Sequence, residues 1–338
     1  MARDWTFRAA TAADEPGILD LFRLTHGHAP TAAFQAWRFE TDPASPRIAV
    51  IAEDSGRIVG QYALWGTPLN IGGQKVSGAQ SLDTMTHPLY RGQGMFVTLA
   101  QACMEIARER GVEVLYGFPN DQSLPGFVRK LDWDHIGEVP LWIRPLNPSR
   151  HRRMPRALGP IADGIAGLLP KGRTGNHAVA SAGFGDDELQ ALLNRAASAD
   201  DCRIDRQPER LRWRFSISAD RDYRWIGMRS ADGALAAACV TGADARGGNA
   251  LVGELLGLTV AAQAAALGAG IRQAKTAGKA FMLACTNDPE KIQILRRCGF
   301  FRYRKIPFIV RNLTSRALPA DIRRIDNWRV FGADLDTF

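Results

Sequence analysis

The sequence lacks the cysteine patterns of disulfide-bonded domains and zinc sites. Its five cysteines, in 338 residues, are widely spaced, odd in number and without a CxxC pair or a Cys/His cluster. Closely spaced, even-numbered cysteines are typical of disulfide scaffolds, and CxxC pairs are typical of zinc ligation. We therefore expect no structural disulfide and no bound metal.

Long apolar runs are also missing. No stretch approaches the roughly twenty apolar residues that a membrane span needs, and the N-terminal MARDWTFRAATAADE contains acidic residues before any run of signal-peptide length. The hydrophobic fraction of 46% and the charged fraction of 23% are typical of a globular protein. We expect a cytoplasmic protein that is long enough for two domains.

Acidic residues are scarce in one short segment. The formal net charge is +8, and six basic residues but one acid stand between Ser149 and Arg173. A nucleic-acid surface needs basic residues interleaved with aromatics, or a recognised binding motif, and the sequence has neither. We expect no nucleic-acid partner and interpret the segment as a solvated linker. An anionic substrate or a membrane surface is the alternative partner for it.

The two halves of the sequence resemble each other. Residues 120–146 align without gaps with residues 287–313; both begin with Asn-Asp and both contain Pro-(x)3-Arg near their ends. The hexapeptide FQAWRF at 34–39 is likewise similar to RLRWRF at 210–215. In each half, apolar spacing predicts strand, helix, strand, helix and strand, which is a mixed α/β architecture. The pattern indicates a tandem duplication.

The domain boundaries follow from this repeat. We predict a first domain over residues 1–148, a basic Gly/Pro-rich linker over 149–180 that has no counterpart in the repeat, and a second domain over 181–338. Within the linker, ALGPIADGIAGLLP predicts a short amphipathic helix. That helix either makes a weak peripheral contact with a membrane or simply connects the domains.

The stretch HPLYRGQGMF, residues 87–96, points most directly to chemistry. It stands between a predicted strand and a predicted helix, and a second predicted strand, ending in Asn120, follows at a suitable distance. Backbone N–H groups at a glycine-rich helix start converge on a diphosphate, and the helix dipole favours its negative charge. Arg91 can add a charge-assisted contact. The stretch therefore predicts a binding site for a cofactor diphosphate.

This arrangement resembles the GNAT superfamily of acyl-CoA-dependent N-acyltransferases, whose loop reads Gln/Arg-x-x-Gly-x-Gly/Ala. Arg91, Gly92, Gln93 and Gly94 match that pattern, whereas Phe96 stands where the last Gly or Ala usually stands. The resemblance extends over residues 5–146 and more loosely over 185–313. It implies an α/β fold with mixed (α+β) sheets in two tandem GNAT-like domains, and acetyl-CoA as the cofactor.

The resemblance also implies how the cofactor is bound. The pantetheine arm would lie in a gap between the strand that ends at Thr86 and the strand that precedes Asn120. Asn120 would meet the thiol end of the cofactor, or cap a helix, or do both. The residues implied for cofactor binding are Met85, Thr86, Arg91, Gly92, Gln93, Gly94, Met95, Phe96 and Asn120.

Amide formation needs a base for the amine and often an acid for the departing thiolate. We predict Asp83 as the base, because strand alternation places it on one face with Met85 and His87; His87 and Glu53 are alternative bases. Asp83 could instead bind the substrate ammonium or cap a backbone group. Many family members use a Tyr as the acid, and Val128 occupies that position here. Either the thiolate leaves without help, or a residue elsewhere supplies the proton.

These inferences predict an N-acetyltransferase that acts on a primary amine of a small polar molecule, with a nucleotide-linked amino sugar as our first choice. Aminoglycoside or polyamine acceptors, and transfer of longer acyl or aminoacyl groups, are alternatives. A CoA-sensing or scaffold protein is the alternative outside enzymology. The missing Tyr favours that reading, and the intact RGQG sequence favours an enzyme. The sequence predicts neither the oligomeric state nor the pathway.

The second half lacks the glycine-rich loop, which leads to a stoichiometric prediction. Its strand GELLGLTV runs directly into AAQAAALGAGIRQAKTAG, with nothing similar to RGQG. Because diphosphate binding depends on free amides at that turn, each chain should bind one coenzyme A, as measured by calorimetric titration. Gly94→Trp is the control that blocks the loop sterically. Two sites per chain, or one site that survives Gly94→Trp, would place the cofactor in the other half.

Overall fold

A computed structural model of the protein describes residues 4–42, 47–172, 178–181, 183–196, 201–216, 222–244 and 247–337. The first part of the chain forms β1 (Thr6–Ala9), α1 (Glu15–His26), α2 (Ala32–Glu40), β2 (Ile48–Asp54), β3 (Arg57–Gly66), β4 (Leu69–Ile71), β5 (Gln74–Val76), β6 (Gly78–Thr86), α3 (Met95–Glu109), β7 (Val114–Gly117), α4 (Leu124–Lys130) and β8 (Asp134–Pro145). The rest forms α5 (Gly159–Leu168), β9 (Ala178–Ser181), α6 (Asp186–Ala196), β10 (Cys202–Ile204), α7 (Pro208–Ser216), β11 (Arg224–Arg229), β12 (Leu235–Ala243), β13 (Ala250–Gly257), α8 (Val260–Thr276), β14 (Phe281–Cys285), α9 (Pro289–Arg297) and β15 (Phe301–Asn312).

The chain divides into two compact units, and the first consists of Met1–Glu138, Asp200–Asp205 and Pro307–Asn327. Its main sheet has the strand order β1-β2-β3-β6-β7-β15, to which β15 contributes its second half. The β6–β7 pair is parallel and the other pairs are antiparallel. A small antiparallel sheet, β10-β4-β5, belongs to the same unit. The predicted α/β class with a mixed sheet is confirmed.

Helices cover both faces of the first sheet. On one face, α3 buries a row of apolar residues at spacings of three and four, which is the helical period. These residues and α4 enclose a core that includes Tyr62, Leu99, Phe127, Trp133 and Ile309. On the other face, α1 packs its apolar residues against β2, β3 and β6.

The second unit consists of Val139–Ala199, Arg206–Ile306 and Trp328–Phe338. Its sheet has the order β9-β11-β12-β13-β14-β8, again with one parallel pair, β13–β14. The alanine-rich helix α8 lies on this sheet and contributes Ala262, Ala265, Ala266 and Ala269 to the core. Both units therefore have the same strand order, counted from their first strands, which supports the proposed duplication.

The compact units are not continuous in sequence. Strand β8 has its first residues, Asp134–Glu138, in the first unit and the rest in the second, and β15 runs from the second unit into the first. The domain boundaries at residues 148 and 181, which we placed from the sequence repeat, thus stay a prediction. Residues 149–172 of the predicted linker lie in the second unit, whereas Arg173 and residues 174–177 lie outside the described residues.

The repeated Pro-(x)3-Arg motif has equivalent roles in the two units. Arg144 of β8 donates to the carbonyl of Cys298, the residue after α9, and to the carbonyl of Pro170 at 2.7 Å. Arg311 of β15 donates to the backbone carbonyl of Asp132, just beyond α4, and pairs with the Asp132 carboxylate at 2.7 Å. Cations are favoured at helix carboxyl ends. Each arginine thus holds the end of a helix in its own unit.

Arg144 should matter more to stability than Arg311. Arg144 is 1% exposed, whereas the Arg311 side chain is 25% exposed. Arg144→Leu leaves buried carbonyls without donors and should destabilise the second unit by about 2–3 kcal/mol, with faster amide exchange at the end of α9. Arg311→Leu, the matched variant, should cause a much smaller loss. Equal losses in urea unfolding would contradict this interpretation of the motif.

Candidate active site

The pairing of β6 with β7 ends before β6 does. Four residue pairs join the strands, from Gly78 opposite Val114 to Ser81 opposite Gly117. Strand β7 then stops, and the following Phe118-Pro119 cannot continue the ladder because proline has no N–H. Strand β6 runs on to Thr86. We call the point after Ser81 and Gly117, where the two strands separate, the fork.

A β-bulge lies just beyond the fork. Between Leu82 and Met85, two residues of β6 stand opposite the single residue Tyr62 of β3. Asp83, within the bulge, has a left-handed φ of 49°, which is uncommon for a residue with a side chain. The bulge interrupts the regular alternation that we used to place Asp83 on one face with Met85 and His87. The Asp83 side chain is 9% exposed.

Strand alternation also indicates which peptide groups face the gap. His87 N–H donates to the Val59 carbonyl at 2.8 Å, and Thr86 stands opposite Gly60 in the same register. In an antiparallel pair, successive residues direct their peptide groups to opposite sides. The peptide groups of Thr86 therefore point away from β3, towards the gap, and those of Met85 point to β3. Thr86 is the better oriented of the two for a pantetheine amide.

The loop before α3 presents a row of backbone N–H groups. Gly92 and Gly94 both have φ of 79°, a conformation that glycine adopts without strain. The Gly94 carbonyl accepts the first hydrogen bonds of the helix, whereas the amides of residues 92–96 donate to no acceptor in the described part of the chain. Five N–H groups at the positive end of a helix can hold a diphosphate. Arg91 is exposed beside them.

Phe96 directs its side chain away from these amides. Its ring lies edge-on to Phe127 at a centroid distance of 5.3 Å and 6.3 Å from Tyr62. The ring also fills the space beside Gly126 of α4, where an added Cβ would lie 3.0 Å from it. The large residue at a position that usually holds Gly or Ala therefore contributes to the core and leaves the loop amides accessible.

Asn120 caps the turn before α4. Its Oδ1 accepts from the backbone N–H groups of Gln122 at 3.0 Å and Ser123 at 2.9 Å. The residue is exposed, and its side-chain nitrogen donates to none of the described residues. Asn120 thus caps a turn, whereas the N-cap residue of α4 is Ser123. The Asn120 amide nitrogen is still available for a ligand.

His87 closes the turn that follows β6. Its Nδ1 accepts from the Leu89 N–H at 3.2 Å, and its ring lies edge-on to Tyr90 at 5.3 Å. The residue is 5% exposed and borders a surface depression of about 490 Å³ that also contains Asp20 and Arg57. These contacts give His87 a structural role in the approach to the loop.

A buried ion pair positions Asp83. Arg38 of α2 donates to the Asp83 carboxylate, and the two side chains are 5% and 9% exposed. The Gln35 side-chain carbonyl accepts from Arg38 at 2.6 Å, and Gln61 Nε2 donates to the backbone carbonyl of Asp83 at 3.1 Å. The network thus holds the Asp83 carboxylate in place.

Sequence reasoning missed Arg38. The available signal was the repeated hexapeptide, FQAWRF and RLRWRF, in which an arginine stands between aromatic residues in both halves. In the second unit the corresponding Arg214 donates to the Leu335 carbonyl at 2.8 Å. In both units, the arginine of this hexapeptide thus lies among apolar residues of a helix and has a buried polar partner.

A second missed feature is a hydroxyl pair at the fork. Ser81 Oγ, in the last residue of β6 that pairs with β7, donates to Tyr62 Oη at 2.8 Å. Tyr62 is fully buried, and this burial raises its pKa, so that its hydroxyl stays protonated at neutral pH. Val128, in the position of the usual tyrosine, is 39% exposed on α4.

The second unit has a similar fork and no such loop. Strands β13 and β14 share two residue pairs, after which β13 continues to Gly257. Two residues connect β13 to α8, compared with eight between β6 and α3. The Thr259 side chain accepts from the Ala262 N–H at 3.1 Å. The start of α8 is therefore capped by the protein itself.

Comparison with known proteins agrees with this geometry. Residues 6–136 match the family model described as "Acetyltransferase (GNAT) domain". No curated protein sequence matches the chain. Among solved structures, a GCN5-related N-acetyltransferase from Anabaena variabilis has a TM-score of 0.64 at 12% identity, with 92% of this chain and 73% of that chain covered.

Two other solved structures extend over most of both chains. A tandem GNAT protein from the clavulanic acid biosynthesis pathway has a TM-score of 0.59 at 17% identity, covering 94% of this chain and 99% of that one. The N-myristoyltransferase of Saccharomyces cerevisiae with bound myristoyl-CoA has a TM-score of 0.67 at 11% identity, covering 90% and 80%. At such identities the likeness shows the fold alone. The chain thus has the mixed α/β GNAT fold, and its residues 6–136 match the GNAT acetyltransferase domain model.

Proposed function

We propose that the protein is an N-acetyltransferase that uses acetyl-CoA to acetylate a primary amine of a small polar acceptor. The observation that carries this proposal is the row of free amides at residues 92–96 beside the fork. The GNAT domain over residues 6–136 supports the broader class, transfer of an acyl group from acyl-CoA to nitrogen.

The described residues fit coenzyme A. The amides of residues 92–96 and Arg91 suit the diphosphate, because both N–H groups and guanidinium bind anionic oxygens. The Thr86 peptide groups suit the pantetheine amides, with Met85 beside them, and Asn120 offers a donor near the thiol end. When bound, the cofactor supplies an activated acetyl thioester. The acetyl group itself, as opposed to a longer acyl chain, is part of our proposal.

We assign proton acceptance from the amine to Asp83. Its carboxylate lies in the bulge beside the fork and is oriented by Arg38. The alternative bases are less available, since His87 Nδ1 already accepts from a backbone N–H and Glu53 pairs with Arg8 at 2.8 Å. Binding of the substrate ammonium is the competing role for the same carboxylate.

Tyr62 takes the place of the missing acid in this proposal. It is the protonated hydroxyl at the fork, where the thiol end of the cofactor would lie, and it already accepts from Ser81 Oγ. Its own O–H is therefore free to donate a hydrogen bond that stabilises the departing thiolate. A residue on β3 would then perform the task that a tyrosine after Asn120 performs in many members of the superfamily.

For the acceptor we keep our first choice from the sequence, a nucleotide-linked amino sugar. Its pyrophosphate would suit the excess of arginine. An aminoglycoside or a polyamine would require an acidic pocket. Transfer of longer acyl groups is the second enzymatic alternative, and a CoA-sensing scaffold is the alternative without turnover. The cytoplasmic location that we expect from the sequence stays a prediction.

Thiol release from acetyl-CoA across a panel of amines tests the proposed function. Arg91→Glu should raise the KM for acetyl-CoA by about tenfold or more, because it removes a charge-assisted contact and adds repulsion. Arg302→Glu, an equal change of charge at an exposed site on β15, is the matched control. An unchanged KM in Arg91→Glu would contradict the placement of the diphosphate. Tight CoA binding without thiol release for any amine would indicate a sensor.

Asp83→Asn should lower kcat by about a hundredfold at neutral pH while the KM for acetyl-CoA changes little, because general-base catalysis contributes at that level. The loss should shrink at alkaline pH, where more amine is already deprotonated. The measurement is the pH profile of kcat with a fixed amine. A loss confined to the acceptor KM would reassign Asp83 to ammonium binding.

Two further variants separate the roles in proton transfer. Glu53→Gln removes the carboxylate of an alternative base outside the bulge and should leave kcat nearly unchanged; a loss equal to that of Asp83→Asn would move the base to Glu53. Tyr62→Phe should lower kcat at all pH values and show no alkaline recovery, since it removes the hydroxyl that donates to the thiolate. An unchanged kcat in Tyr62→Phe would mean that the thiolate leaves without help.

A further inference from the structure

Helix α5 and the residue that precedes it, Leu158, expose a continuous line of large aliphatic side chains. Leu158, Ile161, Ile165 and Leu168 are 53%, 63%, 62% and 86% exposed. They are spaced three, four and three residues apart, so they share one face of the helix. We call these four residues the apolar stripe. Single exposed aliphatic residues are normal on protein surfaces, but contiguous rows mark interaction sites.

The opposite side of α5 is fixed to the second unit. Gly159 and Ala166 are buried, so small residues allow the helix to lie close to its neighbours. The Asp163 carboxylate accepts from the Ser149 N–H at 3.0 Å and from the Ser149 hydroxyl at 2.6 Å, and these bonds lower the pKa of Asp163. The helix is therefore held on one side while the apolar stripe faces solvent.

Basic residues flank the apolar stripe at both ends. Those that are exposed and have no ion-pair partner in the described part of the chain are Arg150, Arg152, Arg153, Arg156 and Lys171. The one acid among residues 149–172, Asp163, is engaged with Ser149. An apolar helix face bordered by cations is complementary to an anionic phospholipid surface. A second copy of the same surface would bring like charges together, which disfavours a symmetric dimer through α5.

We propose that α5 is a peripheral membrane anchor. The apolar stripe inserts between acyl chains of an anionic bilayer, and the five flanking cations lie at the level of the lipid phosphates. No helix in the described ranges is long and apolar enough to cross a bilayer, and one short stripe supports reversible binding only. This proposal is independent of the proposed enzyme activity, because α5 belongs to the second unit and contains none of the cofactor residues.

Co-sedimentation of the full chain with vesicles tests the anchor. The protein should sediment with vesicles of phosphatidylcholine and phosphatidylglycerol and much less with phosphatidylcholine alone. Ile161→Gln/Ile165→Gln should weaken binding to the anionic vesicles by about tenfold or more, since two aliphatic side chains no longer enter the bilayer. Phe7→Gln/Leu24→Gln, at sites 49% and 45% exposed in the first unit, is the matched control and should bind like the wild type.

The charge contribution has its own matched pair. Arg152→Gln/Arg153→Gln should weaken binding to anionic vesicles by about fivefold for each charge removed, and high salt should reduce that difference. Arg302→Gln/Arg304→Gln removes two exposed arginines from β15 and should have little effect. All substituted positions are exposed, so the thermal unfolding of each variant should match that of the wild type.

Three outcomes would overturn the proposal. One is no binding to anionic vesicles by the wild type. Another is binding that Ile161→Gln/Ile165→Gln leaves unchanged, which would place the membrane contact elsewhere. The last is a dimer in sedimentation equilibrium that Ile161→Gln/Ile165→Gln converts to a monomer, which would make the apolar stripe an interface between two copies of the chain.

Discussion

The candidate site depends on the early end of one parallel strand pair. Because β7 stops at Gly117 while β6 continues to Thr86, the second half of β6 has a free edge on that side. The bulge at Asp83 adds one residue to β6 and turns the strand at the same level. A ligand amide can then take the place of the missing strand, and the carboxylate, the Tyr62 hydroxyl and the loop amides all lie around that opening or directly after it in the chain.

The fork alone does not make a cofactor site, as the second unit shows. There β13 also continues beyond its residue pairs with the parallel strand β14, yet the connection that follows is two residues long and Thr259 caps the helix start. The first unit thus has an eight-residue connection with two left-handed glycines, whereas the second has a two-residue connection that includes the threonine. In this fold, the length and conformation of one connection decide whether helix amides are available to a diphosphate.

Local features could be predicted from the sequence, whereas non-local pairings could not. The turn at Gly92 and Gly94 and the start of α3 depend on neighbouring residues, so HPLYRGQGMF indicated them correctly. The α/β class followed from apolar spacing in the same way. The bulge that breaks alternation at Asp83, its partner Arg38, and the strands β8 and β15 that each contribute to both units depend on pairings between distant segments. A single sequence carries only weak signals of these, such as the arginine in each repeated hexapeptide.

Two groups of arginines in the chain have different physical roles. Arginines inside the units, such as Arg38, Arg144 and Arg206, have carboxylates or helix carboxyl ends as partners, because a buried charge requires compensation. Those around α5 have no such partners in the described part of the chain, and they border the one continuous row of large exposed aliphatic residues on a described helix. These cations have no ion-pair partner within the described fold, and the apolar side chains beside them are exposed. A partner for such a surface needs both phosphate and hydrocarbon. A bilayer with anionic lipids provides both within the depth of a single helix.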